Sequence, residues 1–441
     1  MTNRPDPGSP RGEHLRFFVG VVAVALLSAA FAVAFRGALS AVLGFATHRS
    51  DVVSAMRRLP WRLRLFLPPV GGLLAGLLAM LTARKPSGHG VGDVMEAVVF
   101  GRVRLSMRVT LLKSIGSWCA IVTGGSIGRE GPLIQFGGAT GKVIGNALGL
   151  TVERARVLIA AGTAAGFAAA YNTPFAAVLF VLEVVTGVVV LETIVPVFIA
   201  TVLATAVTRF FVGAGPIYGA RTFMAPSAIV LFAYAGVGVF GALGAQGFMR
   251  LLSRAEKLFR RSLPLPWRPA LGGCLTGLIV AALPDVAGNG YEPLNDILDA
   301  QRSVGFVAIL LLAKCLATTT SVSSGSPGGV FTPTLLLGGG LGFLYGTGLE
   351  SWFGSKIGSV GSYALVGMAA TTAATTHAPL MAAVMAFELS GDYAIVLPLV
   401  LATGVATAVS RALRKDSIYT AELRERGVGW ELTLEGRRMV E

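Results

Sequence analysis

The chain has 441 residues, 54% hydrophobic and only 14% charged, with a formal net charge of +14. Ordinary soluble domains carry about 25% charged residues, so a soluble enzyme is excluded, and the apolar residues fall in blocks that suit helices crossing a bilayer, roughly 20 residues each. The basic residues gather in the short connections between those blocks, a pattern of membrane orientation and not of nucleic-acid binding.

Residues 1–16 carry Arg4, Arg11 and Arg16 and read as a short cytoplasmic arm. The uncharged block Phe17 to Phe35 outruns the 7–15 apolar residues of a signal peptide and reads as a membrane helix. Leu65 to Ala83, Val157 to Leu182, Thr222 to Met249, Cys315 to Leu349 and Ile357 to Phe387 repeat the pattern. Basic clusters stand at Arg57, Arg58, Arg62 and Arg64, at Arg102, Arg104 and Arg108, at Arg254, Lys257, Arg260 and Arg261, and at Arg411, Arg414 and Lys415. These read as mostly cytoplasmic, and basic residues at both ends predict an even number of crossings with both termini inside. Cys119, Cys274 and Cys315 read as inert buried thiols, and His14, His48, His89 and His377 have no metal-ligand spacing. The expected class is an all-α polytopic membrane protein without metal or cofactor.

The chain also resembles itself. Lys113 precedes Pro132 by the same spacing as Lys314 precedes Pro333. Between them, Thr123-Gly124-Gly125-Ser126-Ile127-Gly128-Arg129-Glu130-Gly131-Pro132 aligns with Ser324-Gly325-Ser326-Pro327-Gly328-Gly329-Val330-Phe331-Thr332-Pro333. Gly88-His89-Gly90 matches Gly288-Asn289-Gly290, and Asn172-Thr173-Pro174 through Glu183 matches His377-Ala378-Pro379 through Glu388. The expected organisation is a repeat over residues 17–212, a linker over 213–222, a second repeat over 223–412 and a C-terminal segment over 413–441. Gly- and Pro-rich interruptions at membrane depth are tolerated only where protein or a watery cavity surrounds them, and duplicated membrane folds put their substrate at such breaks.

In each half a Gly-rich turn leads into Pro132 or Pro333, which suits the start of a helix, predicted over Leu133 to Leu148 in the first half. Two helix N-termini, each with free N–H groups and the positive end of a dipole, suit one small anion, held weakly enough to leave again. Glu130 stands among those donors. An intramembrane carboxylate costs about 2.5–3.5 kcal/mol on insertion scales and marks function by default. It reads either as a tethered competitor that protonation releases or as an ion pair with Arg129 or another arginine; the repeat favours the gate.

Gly128 to Pro132, Gly328 to Pro333 and Ser417-Ile418-Tyr419 resemble the signature stretches of the CLC family of chloride channels and proton/chloride exchangers. The match runs in the family's order over nearly the whole chain, and Gly288-Asn289-Gly290-Tyr291 with Thr375 to Pro379 is similar to its compact bacterial ClcB branch. The resemblance implies an inverted-repeat fold, a homodimer with one chloride pathway per subunit and a place in the bacterial inner membrane. It implies Glu130 as the external gate, a central anion site at Val330, Phe331 and Tyr419 with Arg129 and Gly131 nearby, and no cofactor. His89 stands where many members have Ser, so it either donates to the anion, with pH sensitivity, or only packs. Exchangers carry a proton-transfer glutamate one position after Glu183. Val184 stands there, which favours a channel, with Glu183 as a fallback proton path and protons as a second partner.

Gly137 to Val143 superficially resembles a phosphate-binding loop, but Phe136 and Val143 fail its requirements. A membrane-embedded enzyme would need a nucleophile–base set or two intramembrane acids with a metal; Ser126 and His89 have no second acid. A cation transporter conflicts with two positive helix ends.

Overall fold

The computed structural model describes residues 10–82, 90–100, 105–188, 191–213, 215, 217–219, 221–223, 228–354, 358–428, 430–433 and 436–439. The first half contains α1 (Pro10–Thr47), α2 (Val52–Arg58), α3 (Trp61–Met80), α4 (Val91–Met95), α5 (Met107–Val122), α6 (Glu130–Ala147), α7 (Val152–Tyr171), α8 (Pro174–Leu179) and α9 (Leu191–Val212). Both α4 and α8 widen into π-helical turns, over Glu96–Phe100 and Phe180–Thr186. The second half runs through α10 (Ala228–Ser262), α11 (Trp267–Ala282), α12 (Tyr291–Leu298), α13 (Val304–Ser323), α14 (Phe331–Phe353), α15 (Val360–Thr376), α16 (Pro379–Ser390) and α17 (Val396–Leu413). Then come α18 (Ile418–Glu425) and an antiparallel hairpin of β1 (Trp430–Thr433) and β2 (Gly436–Met439), a small exception to the all-α expectation. Six helical stretches among the described residues are long and apolar enough to cross a membrane.

The apolar blocks break where the repeated landmarks lie. Val157 to Leu182 divides at Asn172, and Ile357 to Phe387 divides at His377; each ends its helix in the left-handed region, at φ 59° and 58°. Asn tolerates that conformation well, and both cap N–H groups close back on the preceding turn, Asn172 N to Ala168 O and His377 N to Ala373 O. Cys315 to Leu349 divides between α13 and α14, at the turn that mirrors the one before α6.

Close packing of small residues holds the helices, as is usual in membranes. A Cβ on Gly72 would lie 2.2 Å from the Pro269 carbonyl oxygen, and one on Gly273 would lie 2.3 Å from that of Pro68, so α3 and α11 meet reciprocally across the halves. Within the halves, α6 meets α7 at Gly137 and Gly162, and α14 meets α15 at Gly338 and Gly367.

The basic cluster at Arg57 lies beyond the end of α1 and is engaged by acids of the second half. Arg57 pairs with Asp285, and Arg302 lies 3.8 Å from the same carboxylate. Counting basic residues without their acidic partners overstated the orientation signal.

Candidate anion site

The helix start differs from the expected one: α6 begins at Glu130 and α14 at Phe331, so Pro132 and Pro333 occupy the third position. First-turn N–H groups have no intrahelical partner, so proline is accepted there. The consequence is functional, because Glu130 itself starts a helix beside the facing turn of the other half. The turns are joined directly: Gly128 N donates to Gly329 O at 2.8 Å, and Gly329 N to Gly128 O at 2.9 Å.

Across this bridge the Glu130 side chain, 2% exposed, reaches the start of α14. Its Oε1 accepts from Phe331 N at 2.9 Å and Thr332 N at 3.2 Å, and its Oε2 accepts from Thr332 Oγ1 at 3.0 Å. Because the Thr332 hydroxyl gives its proton to Glu130, the Tyr171 hydroxyl donates to Thr332 Oγ1, at 2.9 Å. Gly128 and Gly329 leave room for the carboxylate: a Cβ on either would lie 2.1 Å from one of its oxygens. Its bonds go to the amino-terminal end of α14 and not to Arg129, whose guanidinium lies over the Tyr291 ring at 5.3 Å.

Phe331 and Tyr419 belong to one aromatic cluster. Phe167 stacks on Phe180 at 4.6 Å and meets Phe331 edge-on at 5.5 Å, while Tyr171 lies 5.5 Å from Phe331. Tyr419, also buried, stands edge-on to Phe180 at 6.3 Å. Val330 caps α14 and is buried beside Phe331. Gly131, on the first turn of α6, faces the start of α4, where a Cβ on Gly90 would lie 3.1 Å from its carbonyl oxygen. His89, one residue before, lies outside the described residues. The Ser126 hydroxyl is bonded to Thr318 Oγ1 at 3.0 Å across the halves.

Glu183 sits elsewhere. Its carboxylate accepts from Leu380 N at 3.2 Å and Met381 N at 2.7 Å, at the start of α16. Glu388 does the same for α8, accepting from Phe175 N at 3.1 Å and Ala176 N at 2.8 Å. The reciprocal caps match the structural account suggested by their repeated positions.

Residue patterns missed Thr332 and Tyr171 as parts of the Glu130 seat. Thr332 lay within the quoted motif, but only the geometry shows its hydroxyl turned to the carboxylate. For Tyr171 the available signal was its place just before the repeated Asn172-Thr173-Pro174 break.

The family model for voltage-gated chloride channels matches residues 71–411. The chain is similar to the voltage-gated ClC-type chloride channel ClcB of Escherichia coli, 36% identical over 411 residues, covering 90% of this chain and 97% of that one. It is 39% identical over 327 residues to a Ralstonia nicotianae protein described as ClcB-like, covering 73% and 76% of the two chains. Among solved structures, a slow cyanobacterial Cl−/H+ antiporter superposes with a TM-score of 0.85 at 26% identity, over 93% of this chain and 98% of its own. A CLC-type fluoride/proton antiporter shares the fold with a TM-score of 0.75, over 92% and 98% of the two chains. The chain belongs to the CLC family of voltage-gated chloride channels and transporters.

Proposed function

We propose that the chain conducts chloride through a pathway inside each subunit, with Glu130 as a protonatable gate. The observation that carries this reading is the Glu130 carboxylate on the amides of Phe331 and Thr332. Those donors suit any small anion. While ionised, the side chain competes with chloride for them. Once protonated, it presents a hydroxyl to groups that are themselves donors, and the seat passes to chloride. Val330, Phe331 and Tyr419 form the inner part of the site, with Arg129, Gly131 and His89 around it. The substrate leaves chemically unchanged, so the chain is a transport protein and not an enzyme. Glu130→Gln in liposomes should make chloride flux nearly independent of pH; a retained wild-type pH profile would show that Glu130 is not the gate.

Channel conduction is favoured over exchange because Val184 occupies the position after Glu183, and Glu183 already caps α16. The likeness to the Cl−/H+ antiporter supports the second reading, proton-coupled exchange through Glu183 or water. Efflux with external pH recorded and potential clamped by valinomycin separates them: chloride movement without protons identifies a channel, and uphill proton movement an exchanger.

The reading includes a homodimer in the bacterial inner membrane with both termini cytoplasmic. Phe175 and Leu380, 54% and 53% exposed, flank the starts of α8 and α16 beside the capping carboxylates. Carboxylates close to lipid are costly, and a second copy of the chain would cover that face. Crosslinking between Cys residues introduced at Phe175 and Leu380 of neighbouring copies tests it; exclusively monomeric protein in mild detergent would refute it.

A further inference from the structure

Tyr419 stands on the first turn of α18, a helix of only eight residues. Isolated helices shorter than about 12–15 residues are marginal, so the position of this tyrosine depends on what holds α18. At its start, Thr420 N donates to Ser417 Oγ at 3.2 Å and Ser417 N to Thr420 Oγ1 at 2.9 Å, a reciprocal cap. Along its length it packs on α4 and α15, with Leu423 fully buried. At its end, Arg426 Nη1 donates to Asp93 Oδ1 at 2.7 Å and Glu96 Oε2 at 2.9 Å, while Nη2 donates to Glu422.

Asp93 takes two further donors, Lys113 Nζ from α5 at 2.9 Å and Gln135 Nε2 from α6 at 3.0 Å. One network therefore joins α18 to α4, α5 and α6, and α6 is the helix that begins at Glu130. Gly92 permits the close approach, since a Cβ there would lie 3.0 Å from Glu422 Oε1.

We infer that Arg426 is a positioning residue of the anion pathway: its Nη1 bonds to Asp93 and Glu96 fix α18 against α4 and hold Tyr419 in register with the helix that carries Glu130. The inference rests on the proposed role of Tyr419 at the inner anion site. A planar guanidinium suits the task because it engages several carboxylates in fixed directions. The Asp93 and Glu96 side chains are 6% and 8% exposed and that of Arg426 20%, so these pairs are not the screened surface kind. Without Arg426, Asp93 keeps Lys113 and Gln135. The Asp93 carboxylate stays paired, while Glu96 gives up its bond to Arg426 and α18 loses its tie to α4.

The test measures calorimetric chloride binding and chloride efflux on the full-length protein and four variants: Arg426→Gln, Arg426→Lys, Tyr419→Ala and the double variant Arg426→Gln/Tyr419→Ala. Arg426→Gln should weaken chloride binding about tenfold, within the range for residues coupled through one network. The double variant should bind no more weakly than Tyr419→Ala, and Arg426→Lys should lie between wild type and Arg426→Gln. Wild-type binding in Arg426→Gln, or additive losses in the double variant, would overturn the inference even if the melting temperature fell, because a purely structural clamp does not act through Tyr419. Should Arg426→Gln fail to fold, Glu96→Met removes one of the two acceptors of Arg426 Nη1 on the α4 side and is judged by the same criterion. Unchanged binding in Tyr419→Ala would remove Tyr419 from the site and take the inference with it. A loss in Tyr419→Ala with none in Arg426→Gln would overturn the positioning role alone.

Discussion

The two halves share a backbone plan while most of their side chains differ, and one of those differences falls at the candidate site. Gly128 and Gly329 are partners in one bridge, and Asn172 and His377 end equivalent helices with the same dihedral. Two positions after that bridge the halves differ where it matters: Glu130 opens α6, whereas Phe331 opens α14. The first half supplies a carboxylate, and the second supplies the amides that receive it. A symmetric scaffold thus carries an asymmetric arrangement, which on the proposed reading sets a tethered competitor against the anion. The buried lysines differ likewise. Lys113 faces Asp93, but the position equivalent to Asp93 is Pro293, and Lys314 turns instead to the carbonyls of Val286 and Gly288 at 2.9 and 2.8 Å.

The largest expected effect comes from breaking the asymmetry without touching the carboxylate. In Gly329→Ala the new Cβ would lie 2.1 Å from Glu130 Oε1, and its nearest neighbours all belong to that flexible side chain. The backbone there is not in the left-handed region, so the variant should fold with Glu130 displaced. Chloride efflux at neutral pH should rise about tenfold, equivalent to ~1.4 kcal/mol of lost closed-state preference, and lose its pH dependence as in Glu130→Gln. A pH profile like that of wild type would mean that the carboxylate does not occupy this seat when the pathway is closed.

The lysines provide a second contrast, read in stability and leaving the pH response of chloride flux unchanged. Lys113→Met leaves Asp93 buried with Arg426 and Gln135 but without its nearest ammonium partner, and loss of one member of a buried pair costs about 3–5 kcal/mol. The remaining Arg426 puts the expectation at the lower end of that range. Lys314→Met leaves two carbonyls without a donor, at about 1–3 kcal/mol, and removes a buried charge at the same time. Lys113→Met should therefore lower the melting temperature in detergent further than Lys314→Met, and the reverse order would show that Asp93 is not ionised there.

Much of this was legible in the residues because the repeat placed related landmarks at matched spacings. Glu130 stood out from that alignment, Val330 and Phe331 came only from the family resemblance, and a structural role for Glu183 and Glu388 could be anticipated from their paired positions. The start of α6 was misplaced by three residues, from Leu133 to Glu130, because proline marks a first turn without saying which of its positions it fills. The Asp93–Arg426 bond joins residues 333 positions apart, and neither periodicity nor motif signals such a pairing. Arg57 was read as an orientation mark because its partner, Asp285, is close only in the folded chain.

The smallest expected effect gives a sharp separation of scaffold from function. Glu183 caps α16 and Glu388 caps α8, each through two backbone N–H groups. Replacing a capping side chain costs about 0.5–2 kcal/mol, and glutamine retains an oxygen that can accept, so Glu183→Gln and Glu388→Gln should each cost less than ~1 kcal/mol. If both residues serve only the scaffold, the two variants should lower the melting temperature equally and leave chloride and proton movement as in wild type. If Glu183 carries protons, Glu183→Gln should reduce proton movement at unchanged chloride efflux, with Glu388→Gln, which loses an equivalent pair of backbone bonds, as the control. Equal behaviour of the pair would assign both carboxylates to the repeat, and unequal behaviour would place a second asymmetry beside the one at Glu130.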